Sequence, residues 1–537
     1  MKKIFIGITL IGALAISSCN SLEVTPPNSI SDKQIDQILK GDDQAKIENV
    51  LAAIGTGLEK YFNHYGTYTG YSSAPLNYQS DQEFVRSMMG NDVVMGTAAN
   101  TPTGGHRTYY ELSAVDNWNQ KENSVSSCFW NMPVDFYIAA NKALHFITPE
   151  AVAKNTSLRK NRADALVVRA WGYMLLAERF CEAYSQNPNA KGLPIYTEYR
   201  INPVAKISSL KTVYENIESW LNEAIELYKA DGIEVTPAVN DLDQGVANYL
   251  LLRTAVNFTD WPTAITAGEY IVGKFPTLIP VANYGAKTED VDAYAAGTAE
   301  LNASQNAFLC AAANPEAILA FPYGALYNRQ LVCNYCNVMQ SGNAGAGRYQ
   351  PRIDNRLLDK VNANDVRKQI FADHAFDYTY ITNNEGATNT ITVPVNATLK
   401  WGATTALTET VRTDKTYSDD IIFRAADAYL MLAEAYANNS KESQAKTTLN
   451  KLLAARSING TLTCDNYGMT GTTLDKVKFQ TRIEMWLERG SEYYNNKRWG
   501  IPVDRTGSTT HYNFNKLQLN QMVISVPQDE QTANPNW

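Results

Sequence analysis

Between Ile421 and Arg456 the apolar positions follow a helical period. Ile422, Ala425, Ala426, Tyr429, Leu432, Ala433 and Tyr436 recur at steps of three and four, which is one apolar face of an α-helix. Asn438-Asn439-Ser440 interrupts the pattern. Asn439, followed three residues later by Glu442, reads as an N-cap with a capping box. The next helix carries Ala445, Leu449, Leu452 and Leu453 on one face. Alanines at contact positions let two helices approach closely, so the stretch is predicted to be an antiparallel helix pair.

The same theme recurs upstream. Ala163, Leu166, Val167, Ala170, Tyr173, Met174, Ala177 and Phe180 form one face, and Val213, Ile217, Trp220, Leu221, Ala224, Leu227 and Tyr228 the next. A further pair starts at Ala247 and turns at Thr259-Asp260-Trp261-Pro262, with the proline in the first helical turn. Residues 43–62 and Trp130 to Ile147 also read as helical. So does 475–490, with Phe479, Ile483, Trp486 and Leu487 on one side. The length and Ala-x-x-Tyr pattern of the pair at 421–456 are those of a tetratricopeptide-type repeat. The pattern dissolves twice, in a Gly-, Asn-, Thr- and Tyr-rich stretch from 63 to about 125 and in a long insertion over 276–419 with a β-like run at 390–395. The expected fold is therefore mainly α: a tetratricopeptide-like helical-repeat superhelix, about 127–275 and 420–500, holding large irregular loop insertions. Long irregular segments on a rigid scaffold are a common way to build a binding site.

Composition narrows the class. The 537 residues are 45% apolar, an ordinary globular share. The net charge is −8 with no basic run after residue 3, which argues against nucleic-acid binding. The N-terminus adds more. Lys2 and Lys3 precede an apolar run from Ile4 to Ile16, too short to span a bilayer but of signal-peptide length. It ends in Ile16-Ser17-Ser18-Cys19, which is similar to a bacterial lipobox. Residues 1–18 are thus expected to be a lipoprotein signal peptide, Cys19 the lipidated residue and 19–40 a linker containing Thr25-Pro26-Pro27, leaving 41–537 as a single body.

Candidate chemistry is sparse. Of the remaining cysteines, Cys333-Asn334-Tyr335-Cys336 has half the spacing of a zinc site, but no second pair or paired histidines accompanies it, so a local disulfide or free thiols is the reading, with no metal and no cofactor. No serine elbow, zinc histidine pair or phosphate loop appears, and His64, His106, His145, His374 and His511 sit in unrelated contexts. Trp130, Trp171, Trp220, Trp486 and Trp499 lie on periodic segments and are expected in the core.

Several stretches together resemble the SusD/RagB family, the surface lipoproteins of glycan-uptake systems in Bacteroidetes-type bacteria. They are Arg169-Ala170-Trp171-Gly172-Tyr173 with Gly192-Leu193-Pro194, Phe423-Arg424-Ala425-Ala426-Asp427 through Ala433-Glu434-Ala435, Ala455-Arg456, Glu484 to Gly500, and Val526-Pro527-Gln528-Asp529-Glu530 with Asn534-Pro535. Glu488-Arg489-Gly490-Ser491-Glu492-Tyr493-Tyr494 departs from the commonest form of its motif. The resemblance implies a non-catalytic, cell-surface glycan-binding lipoprotein, lipid-anchored at the outer membrane, with a SusC-like TonB-dependent outer-membrane transporter as partner. A sugar site needs aromatic faces for pyranose C–H groups and planar polar side chains for hydroxyls. The irregular stretches offer Trp118 between Asn117 and Asn119, and Tyr327, Arg329 and Tyr335. Alternatives are a peptide-binding member of the family, a repeat scaffold that binds only protein, and a surface hydrolase.

Overall fold

In a computed structural model of the chain, the described residues are 32–41, 43–56, 86–95, 124–199, 204–295, 303–321, 351–381, 388–401, 419–512 and 514–537. The described residues up to Ile54 belong to one compact unit and those beyond it to another. The first holds α1 (Asp32–Leu39) and the start of α2 (Gln44–Thr56). Asp43 caps α2, accepting from the Lys46 N–H at 3.1 Å.

The second unit is built mainly of helices. They are α3 (Ser124–Phe146), α4 (Pro149–Lys154), α5 (Arg159–Phe180), α6 (Leu210–Ala230), α7 (Gln244–Phe258), α8 (Trp261–Lys274), α9 (Thr288–Ala295), α10 (Asn355–Leu358), α11 (Val366–Gln369), α12 (Ala425–Asn438), α13 (Glu442–Arg456), α14 (Thr473–Glu484), α15 (Ser491–Trp499) and α16 (Gln528–Ala533). Short strands lie between them: β1 (Val93–Met95), β2 (Lys191–Pro194), β3 (Ile207–Ser209), β4 (Ala317–Phe321), β5 (Pro351–Ile353), β6 (Phe376–Ile381), β7 (Thr388–Val393) and β8 (Asp420–Arg424). They pair antiparallel, two by two, as β1–β5, β2–β3, β4–β8 and β6–β7.

The expected helix pairs form and stack in series: α3 on α5, α5 on α6, α6 on α7, α7 on α8, α8 on α12 and α12 on α13. The step from α8 to α12 bridges the long insertion, so the repeats join in space although the sequence separates them. Local chemistry sets the ends. Asp243 starts α7 by accepting from Val246 N at 2.9 Å, and Asp260 starts α8 by accepting from Thr263 N at 3.2 Å. Ala426, Leu430 and Ala433 of α12 and Leu449, Leu452 and Leu453 of α13 share a core with Tyr467, Val477 and Met485. Trp130, Trp171, Trp220 and Trp486 are buried as expected, whereas Trp499 is only half-buried.

α3 and α5 meet through an unusual contact. Pro133, inside α3, has no N–H to give the Phe129 carbonyl four residues back. The buried Arg179 of α5 supplies the donor, Nη1 to Phe129 O at 3.0 Å. Opposite, Gly172 lets the helices close: a Cβ there would lie 2.6 Å from the Pro133 carbonyl oxygen. The C-terminal residues return to the same helix, where Trp537 packs edge-on to Trp130 at 5.8 Å.

Three expectations are corrected. Ile421 and Ile422 belong to strand β8, paired with β4, and not to the helix that follows. Their apolar side chains fall in phase with α12, so periodicity alone extended the helix backward. Asn439 ends α12 and does not begin α13. The chain turns left-handed at Ser440 (φ 58°), α13 starts after Lys441 without a side-chain cap, and Glu442 instead accepts a hydrogen bond from Thr473. The helix expected over 475–490 stops at Glu484, so Trp486 and Leu487 lie beyond it. The β-like run at 390–395 is in part strand β7.

Candidate functional site

At the centre of the second unit is a closed knot of charge. Glu484, at the end of α14, accepts from Arg424 Nη1 at 2.6 Å, from Arg456 Nη2 at 2.8 Å and from Arg367 Nη1 at 3.1 Å. Glu316 accepts from Arg424 Nη1 at 3.0 Å and Arg456 Nη2 at 2.5 Å, and its Oε1 also takes the Ile279 N–H at 2.7 Å. Asp365 holds Arg367 through Nε at 2.9 Å and Nη2 at 2.6 Å, and Glu488 holds Arg424 through Nε and Nη2, both at 2.8 Å, together with the Lys400 ammonium. Four cations thus face four carboxylates. Nearly all are fully buried, and only Glu488 reaches the surface, at 12% of its side chain.

Burial alone would raise the Glu484 carboxyl, but Arg456, Arg424 and Arg367 outweigh it and hold the group well below the usual carboxylate range. Burial pulls the Lys400 ammonium down to about 8 against the opposing pull of Glu488. A buried ion group of this kind contributes little net stability but is costly to break, because each ion has lost its water. Its effect is to fix which elements meet: β8, α11, α13, α14 and the ends of 316 and 400 are tied to one point.

The turn after α14 extends this frame. Leu487 (φ 62°), Arg489 (φ 54°) and Gly490 (φ 63°) are left-handed, a conformation that costs a non-glycine residue roughly 1–2 kcal/mol. Side-chain anchors hold it. The Trp486 indole donates to Asp92 O at 2.9 Å, just ahead of β1, and Arg489 Nη2 donates to Asp420 Oδ1 at 2.9 Å and Ile421 O at 2.8 Å, in β8. Glycine is required at 490, where a Cβ would come within 2.6 Å of Arg86 Cγ.

This turn therefore ties together the two strand pairs from which three segments depart. β1 leads into 96–123, and its last residue, Met95, pairs with Pro351, the first residue of β5, where 322–350 ends. β4 leads into 322–350, and its last residue, Phe321, pairs with Asp420, the first of β8, where 402–418 ends. The two sequence stretches that carry the candidate ligand residues are rooted side by side, on strand pairs bound to one turn. Trp118, Asn117, Asn119, Tyr327, Arg329 and Tyr335 themselves lie outside the described residues, as do Cys19, Cys333 and Cys336.

A polar cleft opens beside this turn, among α5, α7, α12 and α15 with Arg489 in its wall, with about 380 Å³ counted out to its mouth. Its charged groups are engaged: Arg253 grips Glu178 through two bonds of 2.8 and 2.7 Å, Arg498 grips Glu434, Arg489 holds Asp420, and Asp427 accepts from the Tyr249 hydroxyl at 2.5 Å. Among the described residues no group of three or more His, Cys, Asp or Glu could hold a metal ion, and Cys181, Cys310 and Cys464 are free thiols. His145 and His374 are exposed; His511 is buried, and burial pushes its imidazole down to about 3. In the sequence Arg424, Arg456 and Glu484 stand out only as parts of motifs, and nothing local marks their meeting. The available signal was charge at the ends of otherwise apolar helix faces.

The model described as "SusD family" matches residues 337–536, and the one described as "Starch-binding associating with outer membrane" matches 32–238. The chain belongs to the SusD family. Solved SusD-superfamily structures share the fold. One is a SusD-like carbohydrate binding protein from Bacteroides vulgatus, 19% identical, TM-score 0.66, covering 91% of this chain and 96% of that one. A SusD superfamily protein from Bacteroides thetaiotaomicron is 17% identical, TM-score 0.63, covering 90% and 98%. Surface glycan-binding protein A from Bacteroides uniformis is 13% identical, TM-score 0.62, covering 91% and 98%. No curated protein sequence matches the chain. In this SusD-family chain the matched region 337–536 contains seven of the eight charged residues of the knot, all but Glu316. No described helix is long and apolar enough to cross a membrane.

Proposed function

We propose that this chain is a cell-surface lipoprotein that binds glycan without catalysis and delivers it to a TonB-dependent outer-membrane transporter. The observation that carries the reading is the rooting of 96–123, 322–350 and 402–418 on paired strand ends around one rigid turn, in a chain of the SusD family. Stacking on Trp118 and hydrogen bonding from Asn117, Asn119, Tyr327, Arg329 and Tyr335 would hold the sugar, with ligand regions at about 63–125 and 276–419. Lipid on Cys19 and a Pro-containing linker over 19–40 would keep the body at the membrane yet free to move. The description of one matching family model as starch-binding and associated with the outer membrane supports this reading, as do the printed names of the carbohydrate-binding and glycan-binding neighbours.

The test has two arms. The lipid-free chain from residue 20 onward is screened on a glycan array, and each bound glycan is incubated with it to look for shortened products. Binding with no product supports the reading; product release would make the chain a hydrolase. Trp118→Ala is expected to weaken binding and leave co-purification with the transporter intact. Charge reversals on exposed positions of α6, such as Glu215→Lys and Glu226→Lys, are expected to do the opposite. If both sets lose the same property, ligand and transporter sites are not separate.

A further inference from the structure

The cleft beside the turn carries one carboxylate more than its arginines match. Asp427, in the first turn of α12, lines it and is 7% exposed. Its Oδ2 accepts from the Tyr249 hydroxyl at 2.5 Å, while its Oδ1 accepts no hydrogen bond and stays open to the cleft. The other carboxylates here each hold an arginine: Glu178 holds Arg253, Glu434 holds Arg498 and Asp420 holds Arg489. Among the described residues Asp427 has no ion pair. Three guanidinium groups thus stand against four carboxylates, an excess of one negative charge. Arg424 does not cancel it, because that residue is committed to Glu316, Glu484 and Glu488 in the knot. Burial raises the Asp427 carboxyl, and the Tyr249 hydroxyl and Arg253 only partly offset this.

Two further oxygens line the same cleft. Asn257 gives its Nδ2 to Glu178 at 2.8 Å, which leaves its Oδ1 to accept. Ser491 Oγ takes the Asn495 Nδ2 at 3.0 Å and keeps a second lone pair. What the cleft offers an occupant is therefore oxygen acceptors around an uncompensated negative charge. Val256 and Met431 add an apolar wall. A primary ammonium on an alkyl stem answers this chemistry, with three N–H donors, one positive charge and methylenes for the apolar side. The volume of about 380 Å³ lies at the small end of ligand sites, which suits a thin group. An anion would be repelled, and a hydroxyl would fill an acceptor without balancing the charge. A nearly buried carboxylate without a counter-charge is unfavourable, and an incoming cation restores the pairing that its neighbours already have.

We infer that the cleft at Asp427 is a receptor for a primary ammonium group carried on an alkyl stem. The ammonium gives an N–H to Asp427 Oδ1 and presents the others to the Asn257 and Ser491 oxygens, and the stem lies along Val256 and Met431. Two sources carry this chemistry, a free alkylamine and the lysyl side chain of a peptide. None of the cleft residues belongs to the segments proposed to hold glycan, so the inference does not depend on that reading.

The experiment uses the full mature chain in detergent, labelled with ¹³C on its methionine methyl groups, and four probes followed by NMR. They are butylammonium, butanol, N-acetyl-Ala-Lys-Ala-amide and the same peptide with norleucine in place of lysine. The expected result is that at least one amine binds, that its neutral counterpart does not, and that the amine shifts the Met431 methyl signal, assigned by its loss in Met431→Leu. Asp427→Asn keeps the shape of the side chain and is expected to weaken the amine at least tenfold, the worth of a charge-assisted pair. Asp231→Asn, at an exposed carboxylate paired with Arg159, is expected to leave it unchanged. Tighter binding of the lysyl peptide than of butylammonium identifies a peptide as the source, and equal or weaker binding a free amine. If Asp427→Asn does not fold, the Met431 methyl of the unaltered chain decides: it must move with the amines and stay still with the neutral probes. The inference is overturned if neither amine binds, if amine and neutral probes bind alike, if the Met431 signal does not move, or if folded Asp427→Asn keeps its affinity.

Discussion

Glu484→Gln tests whether the central charge knot holds the scaffold as described. The substitution keeps the shape of the side chain and removes one negative charge. Arg367, Arg424, Arg456 and Lys400 would then face only Glu316, Asp365 and Glu488, leaving a net positive charge in a buried site. Breaking one side of a buried pair costs roughly 3–5 kcal/mol. For a cooperative unit of this length the unfolding entropy is about 1 kcal/mol per degree, so the melting point should fall by about 3–5 °C. The sign with pH follows from the depressed carboxyl of Glu484. Its folded value lies below its unfolded one, so its stabilisation is complete above the ordinary carboxylate range and fades as pH falls toward the folded value. The deficit of the variant should therefore be constant from neutral pH down to about 5 and close in acid. Calorimetry at several pH values measures this. Adding Arg456→Met to Glu484→Gln restores the charge balance and should recover part of the loss. A single variant that melts within a degree of wild type, or a double variant that melts no higher than the single, would refute the argument.

Three further outcomes are expected. Burial, with Asp92 adding to it, pushes the Glu492 carboxyl up to about 8. The folded chain then binds a proton that the unfolded chain releases, so this residue lowers stability as pH rises from the ordinary carboxylate value to about 8; Glu492→Gln should flatten that slope in melting curves, and an unchanged slope would exclude the assignment. Gly172→Ala places a methyl 2.6 Å from the Pro133 carbonyl oxygen and should destabilise by roughly 1–3 kcal/mol, read as a lower melting point and faster amide exchange in α3 and α5. Ser440→Gly relieves a left-handed serine and should raise the melting point by about a degree; a fall would mean that the serine side chain anchors the turn.

The helix stack was legible in the sequence because each helix buries one face and shows the corresponding period. α5, α6, α7, α8, α12 and α13 all emerge from that pattern. Errors fell where a short element abuts a longer one. Ile421 and Ile422 continue the apolar phase of α12 while pairing with β4, and Asn439 has the composition of a cap but follows the end of one helix instead of starting another. The charge knot was not legible, because its contacts join residues such as Glu316 and Arg424, 108 positions apart, and no local period records a partner at that distance.

The pairing of Met95 with Pro351 and of Phe321 with Asp420 has a consequence for how such chains can diversify. The segment 322–350 begins and ends beside a neighbour that is already paired, so its closure is secured by the frame and not by its own length. Doubling the length of a flexible loop between fixed ends adds only about 0.6 kcal/mol. Segments of different length and composition can therefore be exchanged between those anchor points, as cassettes, while the helices and the charges beneath them stay as they are.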